Sequence, residues 1–352
     1  MKRTLLVLTM GGFTDGFDLL IIAGVLGEVI KTFRLTGFET GLLVSSSFMG
    51  SIVGAVLLGY LCDVMGRRKG YLISVILFVM GALISASATN YEVLILGRSL
   101  VGLGIGGEIP SSVTLLEEVS KKWVGLSFTA WAMGALSATA IPIFLSPWRL
   151  VLLLGGVPPL LVLIFHRWVS ESEVWLGSSK VRIRSGTLET FVMGIGQFIL
   201  TLVLASFAVY VPGYSFITQM ANWTFFAIGA CLIFPLTSKK PVLFMSYFLT
   251  SVLLLMYTLT GWLEAIATLW LVSGIAFSSS FHYMGELRNA RDRGTFNGIL
   301  FFMGRLGGAI GTFAYPLIRH ELNGTLLLIA LGILMQSFAI PFLAEGGIER
   351  MD

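Results

Sequence analysis

Gly59-Tyr60-Leu61-Cys62-Asp63-Val64-Met65-Gly66-Arg67-Arg68-Lys69 joins two apolar runs, one over about 39–61 and the next over about 70–90. Each run has the roughly 20 residues that one membrane crossing needs. Gly66 permits a tight reversal between them. Asp63 falls where the first run ends, among several cations, and is placed to form an interhelical ion pair. The stretch therefore reads as the basic turn of a membrane hairpin, and the rest of the chain repeats its pattern.

Of the 352 residues, 56% are hydrophobic and only 12% are charged, and the mean hydropathy is +0.89. A soluble domain carries about 25% charged residues, so lipid is the main solvent and the chain is a polytopic membrane protein. The net charge of +4 comes from short basic clusters between apolar runs, which orient a membrane protein and make no case for nucleic-acid binding. Cys62 and Cys231 make no disulfide framework. His166, His282 and His320 lie far apart near span ends, so neither a metal nor a catalytic triad is expected. No cofactor and no enzymatic activity are expected. The first apolar run is too long and too acidic for a cleaved signal, and lacks a small-residue cleavage site.

Twelve spans follow, at about 5–29, 39–61, 70–90, 93–115, 124–145, 148–168, 189–211, 216–236, 241–260, 264–285, 295–318 and 324–343. The eighth and ninth are divided by little more than Pro241. The fold class is all-α integral membrane, with an N-terminal six-helix bundle (1–169), a cytoplasmic central loop (170–188) and a C-terminal bundle (189–352). With both termini in the cytoplasm, seventeen Lys and Arg face inward and four outward, the bias expected of inner loops. The expected location is the cell membrane. The halves echo each other: Glu117 precedes Gly125 by eight residues, and Glu286 precedes Gly294 by eight. Parallel repeats place a substrate site between the halves near the midplane. A chain holding both halves is expected to work as a monomer.

Ionisable groups inside the spans mark that site. Asp15 lies about 18 Å into the first span at 1.5 Å per residue, and Asp18 shares its helix face. Each buried charge costs at least about 2.5–3.5 kcal/mol and usually marks a substrate or proton pathway. The alternative is a buried pair that hydrogen-bonds neighbouring helices. Arg98 and Glu108 are ionisable groups in the fourth span. Arg305 lies about 16 Å beyond Gly294 along the eleventh. Its planar fork suits a carboxylate or phosphate, or it pairs with an intramembrane acid, Asp15 or Glu108.

The 59–69 loop closely resembles the hallmark loop of the major facilitator superfamily, with Val64 where many members carry a base. In the second half it is reduced to Ser238-Lys239-Lys240-Pro241, without the acid. The resemblance implies a gating role for Gly59, Asp63, Gly66, Arg67 and Arg68. Arg98-x-x-x-Gly102-x-Gly104-x-Gly106-Gly107-Glu108 resembles the fourth-helix pattern of sugar and organic-anion carriers in this superfamily. Trp148-Arg149 and Glu171-Ser172-x-x-Trp175-Leu176 resemble the sugar-porter branch around the sixth helix. Asp15-Gly16-Phe17-Asp18 and Gly304-Arg305-Leu306-Gly307-Gly308 resemble aromatic-acid/proton symporters, the first also phosphate/proton symporters. Pro142 stands without the Gly-Pro pair of drug antiporters.

The function expected is proton symport of a small organic anion by alternating access, the partners being that substrate, protons and the bilayer. Asp15, Asp18 and Glu108 are the expected proton-coupling residues; a proton on such an acid removes buried charge and lets the loaded halves rock. Arg305, Arg98, Gln197, Tyr210 and Tyr283 are the expected substrate contacts, with Phe207 and Trp223 as further lining. A sugar or phosphate porter is the alternative cargo reading, the phosphate one weakened because Glu189 only begins the seventh span. A non-transporting membrane sensor is the alternative of another class, disfavoured because Asp352 closely follows the last span.

Overall fold

The structure, a computed structural model, describes residues 2–120, 123–178, 187–210, 216–232, 240–262, 264–288, 290–318 and 322–343. For 120, 187, 206–210, 216, 217, 314–318 and 322–324 the backbone alone is described. The helices are α1 (Lys2–Phe33), α2 (Gly37–Met65), α3 (Arg67–Ala86), α4 (Tyr91–Ser120), α5 (Val124–Phe144), α6 (Trp148–Gly155), α7 (Val157–Phe165), α8 (Glu173–Gly177), α9 (Thr187–Tyr210), α10 (Phe216–Leu232), α11 (Lys240–Thr260), α12 (Glu264–Leu287), α13 (Arg293–Ile318) and α14 (Leu322–Ala339). No strand occurs among the described residues.

All twelve expected spans fall on these helices, the sixth on the α6–α7 pair. Among the described residues, ten segments are long and apolar enough to cross a membrane. The other two are α10, with 17 described residues, and α13, which carries Arg305 and several glycines among its apolar residues. The break in the sixth span has a local cause. Pro158 and Pro159 lie at the start of α7, where a missing N–H costs little, but they cannot extend α6. The start of α2 is set by a capping box: Glu39 N donates to Thr36 Oγ1 at 3.3 Å, and Thr36 N donates to Glu39 Oε2 at 2.7 Å.

Helix pairing repeats between the halves. In the first, α1 packs on α5, and α4 packs on both α2 and α3. In the second, α9 packs on α13, and α12 packs on both α10 and α11. These are the same positions counted from the start of each half, so the repeat in sequence is a repeat in space. The halves meet along two seams, α2 against α13 and α5 against α10, which a two-fold exchange of the halves interconverts. The first seam is close: a Cβ on Gly59 would stand 2.9 Å from Gly294 O and 3.2 Å from Gly298 Cα. Small residues allow that backbone approach without hydrophobic drive between helices. The second seam is padded with rings, Trp131 of α5 lying 5.5 Å from Trp223 and 5.8 Å from Phe226 of α10.

Large apolar side chains point outward. Phe144, Leu328, Met335 and Phe342 are each more than 70% exposed, as befits helices whose outer faces meet lipid. Inside, by contrast, Asp15, Asp18, Arg98, Glu108 and Arg305 are all buried. The chain is a multi-pass membrane protein with its charges turned away from the bilayer.

Candidate functional site: a central cavity and its basic-face lock

At the face that carries Arg67, Arg68 and Arg293, the 59–69 loop ties the halves together. Gly66 adopts φ 102°, a left-handed backbone that glycine accepts without steric cost. That turn starts α3 at Arg67 and sets its guanidinium four residues from Asp63, at 2.6 Å. Asp63 also crosses to the second half. Its carboxylate accepts from Gly294 N at 3.0 Å, from Thr295 N at 2.6 Å and from Thr295 Oγ1 at 2.5 Å. A carboxylate at the first turn of α13 satisfies amides that have no intrahelical acceptor and lies at the positive end of the helix dipole.

Glu118 holds the centre of the network. It pairs with Arg67 of its own half at 2.9 Å and with Arg293 of the other at 3.3 Å. Arg67 also donates to Ala290 O, and Asn297 donates to Thr114 Oγ1 at 3.0 Å and Glu117 Oε2 at 3.3 Å. Glu171 caps the start of α3 by accepting from Arg67 N at 2.9 Å, and Trp175 Nε1 donates to Asp63 O at 2.9 Å. Gly59, Asp63, Gly66 and Arg67 thus sit together at the seam, while Arg68 is exposed. Arg293 supplies the cation that Val64 does not. Glu117, Glu118, Thr295 and Asn297 were not expected at the lock. Their only signal was the spacing of Glu117 to Gly125, which marked a repeat and not a contact.

Deeper in, α1, α2 and α5 of one half and α9, α10, α12 and α13 of the other line a cavity between the halves. Its walls are aromatic and aliphatic: Phe48, Trp131, Trp223, Phe226, Phe277 and Phe301 with Leu19, Leu20, Leu204 and Ala205. Gln197, Thr201 and Arg305 are the polar side chains of the lining. Arg305 Nη2 donates to both Asp15 oxygens at 3.0 Å, joining α13 to α1 across the halves. The Trp131 indole stands beside Asp15. The guanidinium carbon lies 4.2 Å from the Phe301 ring centroid and 5.7 Å from that of Phe48, within cation–π range. Arg305 Nε, Gln197 Oε1 and Thr201 Oγ1 have no hydrogen-bond partner among the described residues. Gln197 is held by its other end, donating to Tyr247 Oη at 3.2 Å, which in turn meets Ser280 Oγ at 3.0 Å.

The expected site residues therefore separate. Arg305, Gln197 and Trp223 line the cavity, and Asp15 lies behind it, paired with Arg305. Asp18 turns away from it, with Oδ1 facing Gly155 of α6, and Arg98 donates to the Asp18 carbonyl oxygen inside the same half. Depth along a helix follows from residue count, but the direction a side chain faces depends on packing. That is why Asp18 and Arg98 reach a comparable depth without reaching the cavity. Tyr283 is buried on α12 beside Glu189 and Arg288, near the basic face. Glu108 lies in the first half, its Oε1 over Gly11, one turn of α1 from Asp15. The side chains of Tyr210 and Phe207 lie outside the described residues. Phe48, Trp131, Thr201, Phe226, Phe277 and Phe301 were not foreseen; with 26 Phe and 8 Trp in the chain, aromatic identity alone singles out none of them.

Comparison with known proteins agrees with this architecture. The chain is 33% identical over 178 residues to the niacin transporter NiaP of Acinetobacter baylyi, a match covering 48% of this chain and 40% of the relative. It is 29% identical over 264 residues to the 4-hydroxybenzoate transporter PcaK of Pseudomonas putida, covering 68% and 58%. The chain thus spans about half the length of the curated relatives it matches. In three dimensions it is similar to the proton:xylose symporter XylE bound to 6-bromo-6-deoxy-D-glucose, with TM-score 0.82 and 17% identity over 97% of this chain and 95% of that one. The family model of the Major Facilitator Superfamily matches residues 8–312. Two six-helix halves, a basic-face lock and a central cavity between them are thus the features of a chain that belongs to the Major Facilitator Superfamily.

Proposed function

We propose that the chain is a secondary active transporter that moves a small organic anion by alternating access, coupled to proton symport, with the basic face in the cytoplasm. The observation that carries this reading is the Asp15–Arg305 pair, which closes a cavity otherwise walled by rings. With no cargo present, Asp15 neutralises Arg305 and ties α1 to α13. A proton arriving on Asp15 releases the guanidinium, whose fork then takes the carboxylate of the incoming anion. The neutralised site no longer holds an uncompensated charge, so the halves can rock with the substrate enclosed. The six rings around the cavity suit a flat or aromatic body, and Thr201 and Gln197 supply an additional donor and acceptor.

The test is uptake into proteoliposomes with an imposed pH gradient, using radiolabelled niacin and 4-hydroxybenzoate as probes alongside a thermal-shift screen of acids, sugars and phosphate. Binding raises the melting temperature by mass action. Stabilisation by ring carboxylates, together with gradient-driven uptake that Asp15→Asn abolishes, is the expected result. If Asp15→Asn retains gradient-driven uptake, the coupling role is wrong. A sugar is the second reading. It is favoured by the unpartnered Gln197 carbonyl, an acceptor for a neutral hydroxyl, and a response to sugars alone would establish it over the anion.

A further inference from the structure

Glu108 is a buried carboxylate that the Asp15–Arg305 exchange does not use. It is fully buried, and neither oxygen has a hydrogen-bond partner among the described residues. A buried carboxylate without partners bears its full desolvation penalty. On α1 its charged neighbour is Asp15, and on α13 it is Arg305. On α3 the Tyr71 hydroxyl stands with Glu108 Oε1 over the bare Cα of Gly11, where a Cβ would collide with both. Gly11 precedes Asp15 by one turn of α1 toward the basic face, so Glu108 lies one step below the central pair.

The polar path continues past it. Ser111 and Ser112 follow Glu108 by three and four residues, on the same face of α4 and one turn nearer the basic face. Both are fully buried, and neither hydroxyl reaches hydrogen-bond geometry with a partner among the described residues. Ser112 stands beside Glu108, and Ser111 beside Cys62. A Cβ on Gly70 would lie 3.0 Å from Ser111 Oγ, which places that hydroxyl at the root of the 59–69 loop. Tyr71, whose hydroxyl donates to Val7 O at 2.9 Å, stacks on His166, and His166 Nε2 meets the carbonyl of exposed Arg68 at 3.0 Å.

We propose that Glu108 is a second proton station, taking the proton from Asp15 and passing it by Ser112 and Ser111 to the basic face, through the first half and apart from the path of the cargo. The transfer balances simply. Asp15 returns to carboxylate and re-pairs with Arg305, while Glu108 becomes neutral until its proton moves on. The hydroxyls relay it by accepting one proton and donating another. The proposal rests on the proton-symport reading, but its test needs no cargo.

Infrared difference spectra of the full chain in liposomes, between acidic and alkaline baths, should show a protonated-carboxyl carbonyl band. Glu108→Gln should remove one component of that band and leave the Asp15 component, and Glu108→Asp should keep the lost component at a shifted frequency. Replacing both Ser111 and Ser112 with Ala should leave the band but slow its deuterium exchange about tenfold, less than the 10²–10⁴ of a directly positioned proton-transfer group because water can take a hydroxyl's place. A band unchanged in every component by Glu108→Gln, or exchange as fast in the double-serine variant, overturns the proposal. If the band behaves as expected while wild-type vesicles show no gradient-driven uptake of any screened cargo, the station stands and the symport reading falls.

Discussion

Arg305 of α13 gives one nitrogen, Nη2, to both oxygens of Asp15 on α1, each at 3.0 Å. The two residues are 290 positions apart and belong to opposite halves, so the pair can persist only while the halves are close. It is at once a charge-neutralising contact and a latch. Breaking a buried ion pair by removing one partner costs roughly 3–5 kcal/mol, because the survivor stays charged and unpaired.

The pair is therefore expected to be strongly non-additive. Asp15→Asn and Arg305→Gln should each lower the melting temperature of the purified protein, while the double variant recovers part of the loss. The coupling should fall within the roughly 0.5–3 kcal/mol typical of contacting residues. Arg305→Lys should keep the stability better than Arg305→Gln yet fail to restore anion binding, because an ammonium lacks the planar fork. Thermal unfolding of the four-member cycle checks this; strictly additive shifts would show that the two side chains act independently.

The basic-face lock predicts a labelling result. Cys62 is fully buried one residue before Asp63, under the seam between α2 and α13. In a Cys231→Ser background, Asp63→Asn removes the charge from one ion pair and three hydrogen bonds. Hydrogen bonds to charged groups are each worth about 1.5–3 kcal/mol, and each 1.4 kcal/mol is a factor of about ten in an equilibrium. Maleimide labelling of Cys62 should accelerate at least about tenfold, and Glu118→Gln should act in the same direction. An unchanged rate in both variants would mean that these bonds do not hold the seam shut.

Asp292 gives a dependence on pH. It is buried just before α13, its carbonyl accepting from Phe296 N at 3.0 Å, with Oδ1 unpartnered among the described residues. Burial pushes its carboxyl above the usual carboxylate range; Arg288 opposes the shift and Asp63 adds to it. A group that binds its proton more tightly when folded adds stability in acid and loses it as pH rises through the folded pKa. Asp292→Asn removes the penalty of the charged form and keeps a residue suited to a helix start. Its melting temperature should exceed that of the wild type at neutral pH and converge with it in acid. A difference that does not vary with pH would contradict this account.

Composition, apolar run length and the placement of Lys and Arg determined that the chain crosses a membrane many times, because a span has a fixed length and loops are sorted by charge. The 59–69 stretch determined a tight turn at Gly66 and an ion pair at Asp63, since both depend on local backbone and on spacing within one turn. The depth of Asp15 and Arg305 followed from counting 1.5 Å per residue. Only the tertiary structure decided which way each side chain faces. It joined Asp15 to Arg305, turned Asp18 and Arg98 into their own bundle, and chose Phe48, Trp131 and Phe301 from a chain rich in similar rings. It also brought Glu118 between Arg67 and Arg293, a contact spanning 175 residues. In an apolar solvent the outward faces of a helix and its inward faces are both hydrophobic, so periodicity carries little information about azimuth. The packing of small residues along the seams supplies it instead.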